Sequence, residues 1–462
     1  MCIRDSSGVL ATRSSDVPAR HQTLHAAISW SFDLLDPSEQ TLFRRLAPFN
    51  GGFTAEAASA VSDMPLEDAW DGIESLLSKS LLSRPADVGK ARFNMLETLR
   101  EFALEELQRT EEQIDVAGRH ARFFLGLAEA AEPQLTGASQ DAAFAALSQE
   151  IENIRSALRY SMQTQDVDLG LRLVSSIWRF WHTSGQMIEG RRWLEQLLAG
   201  PDCSTTVRAK ALEALAGLAY WQADSELAWS SYQEALDLYR ADGDQVHEAE
   251  VLYGMSMTAT WMGDLSAGTA LAAEARALFE AQGDRAKVGE ALMAQGFALL
   301  QAREYDAARP LWDEALDISR ELADEALVVT QLAGIAAIEF HADDRTAALR
   351  IALEGLALAR EHENVALSVW LLDFIAAFTV ADAPTTAVRV AGAADALRVA
   401  AGGGMRIEDL HIESARSAAS RSLSPAESEA AWAAGRAMTL DQAAAAVDEL
   451  RLGSAPATER PR

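Results

Sequence analysis

The sequence predicts a mainly α chain, a small winged-helix domain followed by an α-solenoid of helical hairpins, and three observations predict it. Chain breakers recur every 20 residues through the second half of the chain. Small residues recur at fixed places between those breakers. Ahead of them, short helical stretches precede two strand-like pieces in winged-helix order.

The chain has 462 residues, with 40 Lys plus Arg against 69 Asp plus Glu, a formal net charge of −29. That excess of carboxylates argues against nucleic acid or an anionic membrane as a partner, because both require clustered cations. At 49% hydrophobic and 24% charged, the composition is globular. Cys2 and Cys203 are too few for a disulfide framework or a four-cysteine zinc site, which fits a cytoplasmic protein. Residues 1–10 lack the apolar core of a secretory signal. The one long apolar stretch, 365–381, carries Asp373 at its centre and falls short of a span of about 20 residues, so it reads as a buried helix. Met1-Cys2-Ile3-Arg4-Asp5-Ser6 look like translated library-adapter remnants, so residues 1–19 are taken as a non-native or linker start to a chain that begins further upstream.

Residues 20–110 form the expected winged-helix domain. Leu24, Ala27, Ile28, Phe32 and Leu35 fall at helical spacing, and Asp36-Pro37 opens a second helix with Pro at its first position. Gly51-Gly52 breaks the chain, Thr54 caps a short helix to Val61, and 66–79 forms another. Residues 80–83 and 91–94 are expected as strands around a turn at 87–90. An amphipathic helix over 95–108 closes the domain, with Leu96, Leu99, Phe102, Ala103 and Leu107 inward.

Residues 111–206 read as a helical linker and first hairpins. In the hairpin of 166–199, Leu171, Val174, Ile177, Trp178 and Trp181 stripe one helix and Trp193, Leu194 and Leu197 the other, an apolar pattern that signals core. Over 207–404, Gly243-Asp244, Gly283-Asp284, Ala323-Asp324, Glu363-Asn364 and Gly403-Gly404 fall 40 residues apart. Ala223-Asp224, Gly263-Asp264, Arg303-Glu304, Asp343-Asp344 and Ala383-Pro384 fall halfway between. Leu238, Leu278, Ile318 and Leu358 form a large apolar column. Ala214, Gly254, Ala294 and Gly334 form a small one, and Ala228, Gly268, Ala308 and Ala348 another. One hairpin cannot bury its apolar face alone, so the array predicts a stacked solenoid. Residues 405–452 are expected to cap it, with a disordered tail over 453–462.

The sequence contains no GxxxxGK[ST], HExxH, GxSxG or CxxC, so no catalytic residue is assigned and the chain reads as non-enzymatic. His411-Ile412-Glu413 and His247-Glu248 read as surface pairs, and no metal site is assigned. The helix over 66–79, in the recognition position, carries Glu67, Asp68, Asp71 and Glu74 against Lys79 alone, which opposes major-groove entry. Arg84, Lys90 and Arg92 on the wing can touch a phosphate backbone and keep a DNA-binding winged helix as an alternative beside a free-standing repeat scaffold. If the repeats bind a protein or small-molecule signal, the expected place is the column Trp221, Trp261, Gln301 and His341 on the concave face, beside an acidic ridge of Asp224, Asp264, Glu304 and Asp344 that favours a basic partner.

The repeat resembles the tetratricopeptide class, with Tyr239 and Phe279 near the ends of second helices, although its period of 40 exceeds the usual 34 or so. A fuller resemblance lies in Arg20-His21-Gln22-Thr23-Leu24, Ile28-Ser29-Trp30-Ser31-Phe32-Asp33-Leu34-Leu35, Leu42-Phe43-Arg44-Arg45-Leu46, Gly51-Gly52-Phe53-Thr54, Leu76-Leu77-Ser78-Lys79-Ser80-Leu81 and Met95-Leu96-Glu97-Thr98-Leu99-Arg100-Glu101-Phe102-Ala103. These blocks are similar to the winged-helix module of bacterial STAND regulators, signal-transducing ATPases with an NB-ARC-like nucleotide domain, related to LuxR-family and antibiotic-regulator-type transcription factors. Ala431-Trp432-Ala433-Ala434-Gly435-Arg436 resembles their terminal helices. The resemblance implies an upstream domain holding ATP or ADP, a winged helix folded over it, and repeats that sense the signal. Relatives place Met-His-Asp where this chain has Met95-Leu96-Glu97, which leaves Glu97 as the one polar latch toward nucleotide and Leu96 as core packing.

Overall fold

The computed structural model describes residues 19–85, 91–136, 140–200, 203–362, 364–400 and 407–453. The expected wing tip at 87–90, the breaker Gly403-Gly404 and the tail beyond 453 lie outside them. The chain divides into two compact units, one ending at Ala223 and one beginning at Asp224.

The first unit opens with the winged helix: α1 (Ala19–Asp33), α2 (Pro37–Arg45), β1 (Phe53–Thr54), α3 (Ala55–Ser62), α4 (Leu66–Ser78), β2 (Arg92–Phe93) and α5 (Glu97–Gln108). Asp36 and Glu39 close a reciprocal capping box at the start of α2, and the Thr54 hydroxyl accepts from the Ala57 N–H at 3.3 Å to start α3. The sheet differs from the expected wing. β2 pairs antiparallel with β1, Phe53 opposite Phe93, and the expected strand at 80–83 shrinks to one bridge between Ser83 and Asn94. Two-residue β1 is too short for a periodic signal, and it lies directly behind the glycine pair that hid it. Phe32, Leu42, Phe43, Phe53, Ile73, Phe93, Phe102 and Leu107 are buried between these elements, and the rings of Phe32 and Phe102 meet edge to face at 5.6 Å. Each such side chain contributes about 1.5–3 kcal/mol of apolar burial. Leu96 departs from its expected core role: it is 63% exposed, because its extended N-cap conformation turns it away while Leu99 and Phe102 take the inner face.

The unit continues with α6 (Gln113–Ala131), α7 (Gln140–Thr164), α8 (Val167–Ser176), α9 (Trp178–Thr183), α10 (Met187–Leu198) and α11 (Thr205–Trp221). The expected first helix of the 166–199 hairpin is broken at Ile177, whose φ of −114° and ψ of 24° leave helical values. Trp181 is fully buried, and Gly190 lies so close to its ring that a Cβ there would sit 2.6 Å from it.

The second unit stacks α12 (Ser225–Asp242), α13 (Gln245–Trp261), α14 (Leu265–Gln282), α15 (Arg285–Gln301), α16 (Tyr305–Glu321), α17 (Glu325–His341), α18 (Arg345–Glu361), α19 (Val365–Thr379) and α20 (Pro384–Ala400). Each helix packs on the next, and α13, α15, α17 and α19 also touch in succession. Three further helices, α21 (Ala415–Ala419), α22 (Pro425–Arg436) and α23 (Leu440–Gly453), close against α20.

Most of the breakers share one construction, although at Ala383-Pro384 no residue takes positive φ. Gly243, Gly263, Gly283, Arg303, Ala323 and Asp343 take positive φ, between 53° and 84°, and an acidic residue follows each as the next N-cap. Asp224, Asp244, Asp264, Asp284, Asp324, Asp344 and Asn364 each accept the N–H three residues on, at 2.9–3.3 Å. Glu304 caps without a side-chain bond.

The small column is matched in volume to the helices beside it. Gly254 leaves room for the Tyr232 ring and Gly334 for Trp312, whereas buried Ala294 stands in a repeat whose counterpart of those rings is Ala272. The large column is less buried than expected: Ile318 is buried, while Leu238, Leu278 and Leu358 are half-buried and the positions after them, Tyr239, Phe279 and Ala359, reach the core.

Asp373, the charge inside the apolar stretch, forms an ion pair with Arg398 of α20, with side chains only 12% and 10% exposed. Among the described residues no helix is long and apolar enough to cross a membrane. At α22, Gly435 meets the Arg389 carbonyl of α20 so closely that a Cβ would collide with it, and a Cβ on Gly392 would sit 2.6 Å from the Trp432 carbonyl.

Two stability outcomes follow. Gly283 at φ 75° has open space where a Cβ would point, so Gly283→Ala costs about 1 kcal/mol from backbone strain alone, and Ala323→Gly, at φ 53°, gives a small change of opposite sign; urea unfolding midpoints report both. Arg398→Ala strands a buried carboxylate and costs about 3–5 kcal/mol, while joint replacement of Arg398 and Asp373 by Leu recovers most of the loss in the same assay.

Candidate functional site

Four places in the chain were candidates for contact with a ligand or partner. On α4, Ala69, Ile73 and Leu76 are buried, which turns Leu66, Glu67, Trp70, Asp71 and Glu74 outward. Trp70 donates from Nε1 to Glu74 at 3.1 Å and sets its ring at 80° to Phe93, 5.7 Å away. Two cations near it are engaged: Lys79 pairs with Glu39 of α2, and Arg92 with Glu150 of α7. This face repels phosphate and attracts cations.

Glu97 begins α5, and Arg100 on the same helix holds its carboxylate through two hydrogen bonds at 2.6 and 2.9 Å. The bond to Arg100 keeps the carboxyl below its usual range. With its side chain 61% exposed, Glu97 is placed to meet an incoming group, in exchange for its grip on Arg100.

The column at the helix ends divides. In the first unit, Trp221 is 55% exposed and stacks on His182 at 4.5 Å, where burial holds the imidazole below its usual pKa. In the second, Trp261 is 47% exposed and lies 6.0 Å from the Phe297 ring, and Gln301 is half-buried. His341 lies flat against Tyr305 at 4.7 Å and bonds through Nε2 to the Leu410 carbonyl at 2.9 Å, which ties the end of α17 to the closing segment. Trp221 and Trp261 therefore keep about half of their surface exposed, while His341 is occupied by packing. The expected acidic ridge is likewise largely spent within the fold: Asp224, Asp264 and Asp344 are N-caps bonded to their own helices. His247 pairs with Asp244 at 2.7 Å, and among the described residues no group of His, Cys, Asp and Glu could hold a metal ion.

A fourth place was not expected from the sequence. Asn153 of α7 is fully buried and accepts the Asn50 N–H at 2.8 Å, while its amide donates to the Gly52 carbonyl at 2.9 Å and to Glu150 at 2.8 Å. His120 of α6 reaches the same Asn153 oxygen at 3.4 Å, between the rings of Phe49 and Phe124. Glu150 carries the network to Arg92 on β2. The glycine pair is part of it, since a Cβ on Gly52, at φ 93°, would collide with Asn94. This cluster fastens the winged helix to the helices that follow. Only the glycine pair marked it in the sequence, because its polar members come from segments about 100 residues apart.

Residues 35–108 match the family described as "Winged helix-turn-helix domain". Over 237 residues the chain is 36% identical to proteins of Mycobacterium tuberculosis and Mycobacterium bovis named "Putative HTH-type transcriptional regulator", a match covering 49% of this chain and 27% of each relative. The chain thus spans about a quarter of the length of these relatives. Among solved structures, it is similar to a STAND protein with a tetratricopeptide repeat sensor from Pyrococcus horikoshii, at 16% identity and TM-score 0.42, over 80% of this chain and 63% of that one. It is also similar to aspartyl phosphate phosphatase F from Bacillus subtilis, at 12% identity and TM-score 0.47, over 79% and 92%. The described architecture is a winged-helix domain of the kind found in transcriptional regulators, followed in the chain by a stack of helical hairpins.

Burial holds His120 near pKa 4, below its ordinary 6.5, so folded protein keeps it neutral while unfolded chain protonates it. Its contribution is complete above about pH 6.5 and falls by about 1.4 kcal/mol per pH unit down to about pH 4. Urea titrations at pH 7 and pH 5 are expected to differ by about 2 kcal/mol less in His120→Gln than in the parent.

Proposed function

We propose that this chain is the regulatory and sensor arm of a STAND-type signal-transducing ATPase that controls transcription, related to LuxR-family and antibiotic-regulator-type proteins. The observation that carries the reading is a winged helix, similar in sequence to HTH-type regulators, whose recognition helix exposes carboxylates where DNA binding requires cations. Such a domain suits contact with protein better than a phosphate backbone.

In this scheme ATP or ADP resides on an upstream NB-ARC-like domain, and the chain itself catalyses no reaction. The winged helix would rest against that domain, with Glu97 as its polar latch. Arg100 would release the Glu97 carboxylate in the closed state. The repeats take a protein or small-molecule signal, with Trp221 and Trp261 as aromatic contacts. The Asn153 cluster makes the winged helix and the adjoining helices move as one piece, which is how strain from a bound signal would reach the nucleotide domain. The whole protein would work in the cytoplasm.

Reading the coding DNA upstream of Gly8 in an intact genomic clone tests this. The expected result is an open frame encoding a strand–GxxxxGK[ST]–helix element, and purified full-length protein that exchanges labelled ADP several-fold faster once its repeats are deleted. A stop codon and ribosome-binding site beside Met1 would overturn the account and leave a free-standing interaction scaffold.

A further inference from the structure

The outer face of α4 lines a cleft of about 330 Å³ with the start of α3, formed by Ala55, Glu56, Leu66, Glu67, Trp70 and Asp71. Leu66 and Trp70 stand one helical turn apart, 48% and 37% exposed, and supply an apolar floor. Glu67 and Asp71 stand one turn apart beside them and make the acidic rim. Among the described residues no ion pair reaches Glu67, Asp68 or Asp71, and Lys79 and Arg92 are paired elsewhere. The Glu74 bond and the edge contact with Phe93 hold the Trp70 ring in one orientation.

We infer that this cleft is a docking site for a protein segment that carries arginine next to an apolar residue. Charge complementarity selects a cationic occupant, and the fixed indole selects arginine over lysine. A guanidinium stacks flat on an aromatic face and still directs its N–H fork at neighbouring carboxylates, whereas an ammonium does one or the other less well. The adjoining apolar side chain would cover Leu66. The surface that reads a nucleic-acid groove in a DNA-binding winged helix here offers the reverse electrostatics, and so would accept a segment that itself resembles a DNA-binding protein's basic arm. This inference stands on the α4 face alone and does not require an upstream ATPase.

Fluorescence anisotropy with a fluorescein-labelled hexapeptide of alternating arginine and leucine tests it on the whole chain. The expected result is saturable binding that weakens about ten-fold or more in Trp70→Ala and in the pair Glu67→Gln with Asp71→Asn, and several-fold when lysine replaces arginine in the peptide. The carboxylate pair is fully exposed, so it reports on the site even if Trp70→Ala lowers stability. Asp306→Asn with Asp317→Asn, which removes two equally exposed charges from α16, is expected to change nothing. Equal weakening in that control would reduce the effect to net charge and overturn the proposal. So would absence of peptide binding, tighter binding of a labelled DNA duplex by the parent chain, or Trp70-dependent self-association seen by light scattering.

Discussion

The repeats depend on one local constraint: a residue with positive φ followed at once by a side chain that caps the next helix. The left-handed residue ends one helix within a single position, and the cap starts the next by satisfying an N–H that would otherwise lack a partner. Where both steps occur they reverse the chain in the same way, so those helices return at the same register and can lie on their predecessors. The same device stands at Gln165-Asp166, ahead of the periodic region, where Gln165 has φ 58° and Asp166 accepts the Leu169 N–H. Glycine is the least strained solution, yet Arg303, Ala323 and Asp343 occupy the position too, which shows that the stack imposes the conformation on residues that disfavour it.

Within that frame, shape is decided by pairs rather than single columns. Tyr232 and Trp312 each require a glycine on the following helix, and a repeat lacking the ring carries alanine there instead. The period that makes the array look uniform in sequence therefore hides an alternation of large and small. The winged helix follows a different rule. Its apolar core is closed by its own helices and strands, but its tie to the next helices is polar and buried, concentrated on Asn153 and its neighbours. Each partner there is costly to remove because the others would be left buried without bonds.

The difference between local and non-local explains what could be read in advance. Helix ends were legible because Asp36, Thr54 and the Asp column act within three residues of themselves. The repeat was legible because periodicity is a local property multiplied. The pairing of Phe53 with Phe93 was not, since it joins segments 40 residues apart through two residues of strand. The exposure of Leu96 was not, because an apolar residue next to an amphipathic helix reads as core until its cap conformation is known. Among candidate contact residues, the acidic face of α4 followed directly from composition. His341 did not, since only the structure shows the Leu410 carbonyl that occupies it. The charge at Asp373 looked anomalous in an apolar helix and became ordinary once Arg398 was found beside it.

The close approach of Gly435 to the Arg389 carbonyl, with Gly392 facing Trp432, bears on how such a chain can change over generations. A hairpin inserted between two existing ones meets the same kind of turn on either side, and its neighbours stay satisfied as long as each ring keeps its glycine on the following helix. At the closing end no such freedom exists. The face of α20 meets α22 backbone to backbone at Gly435 and Gly392, so a copied repeat placed there with a side chain at that point would collide. Growth and shrinkage of the array are thereby confined to its middle, and the last helices descend as a fixed unit.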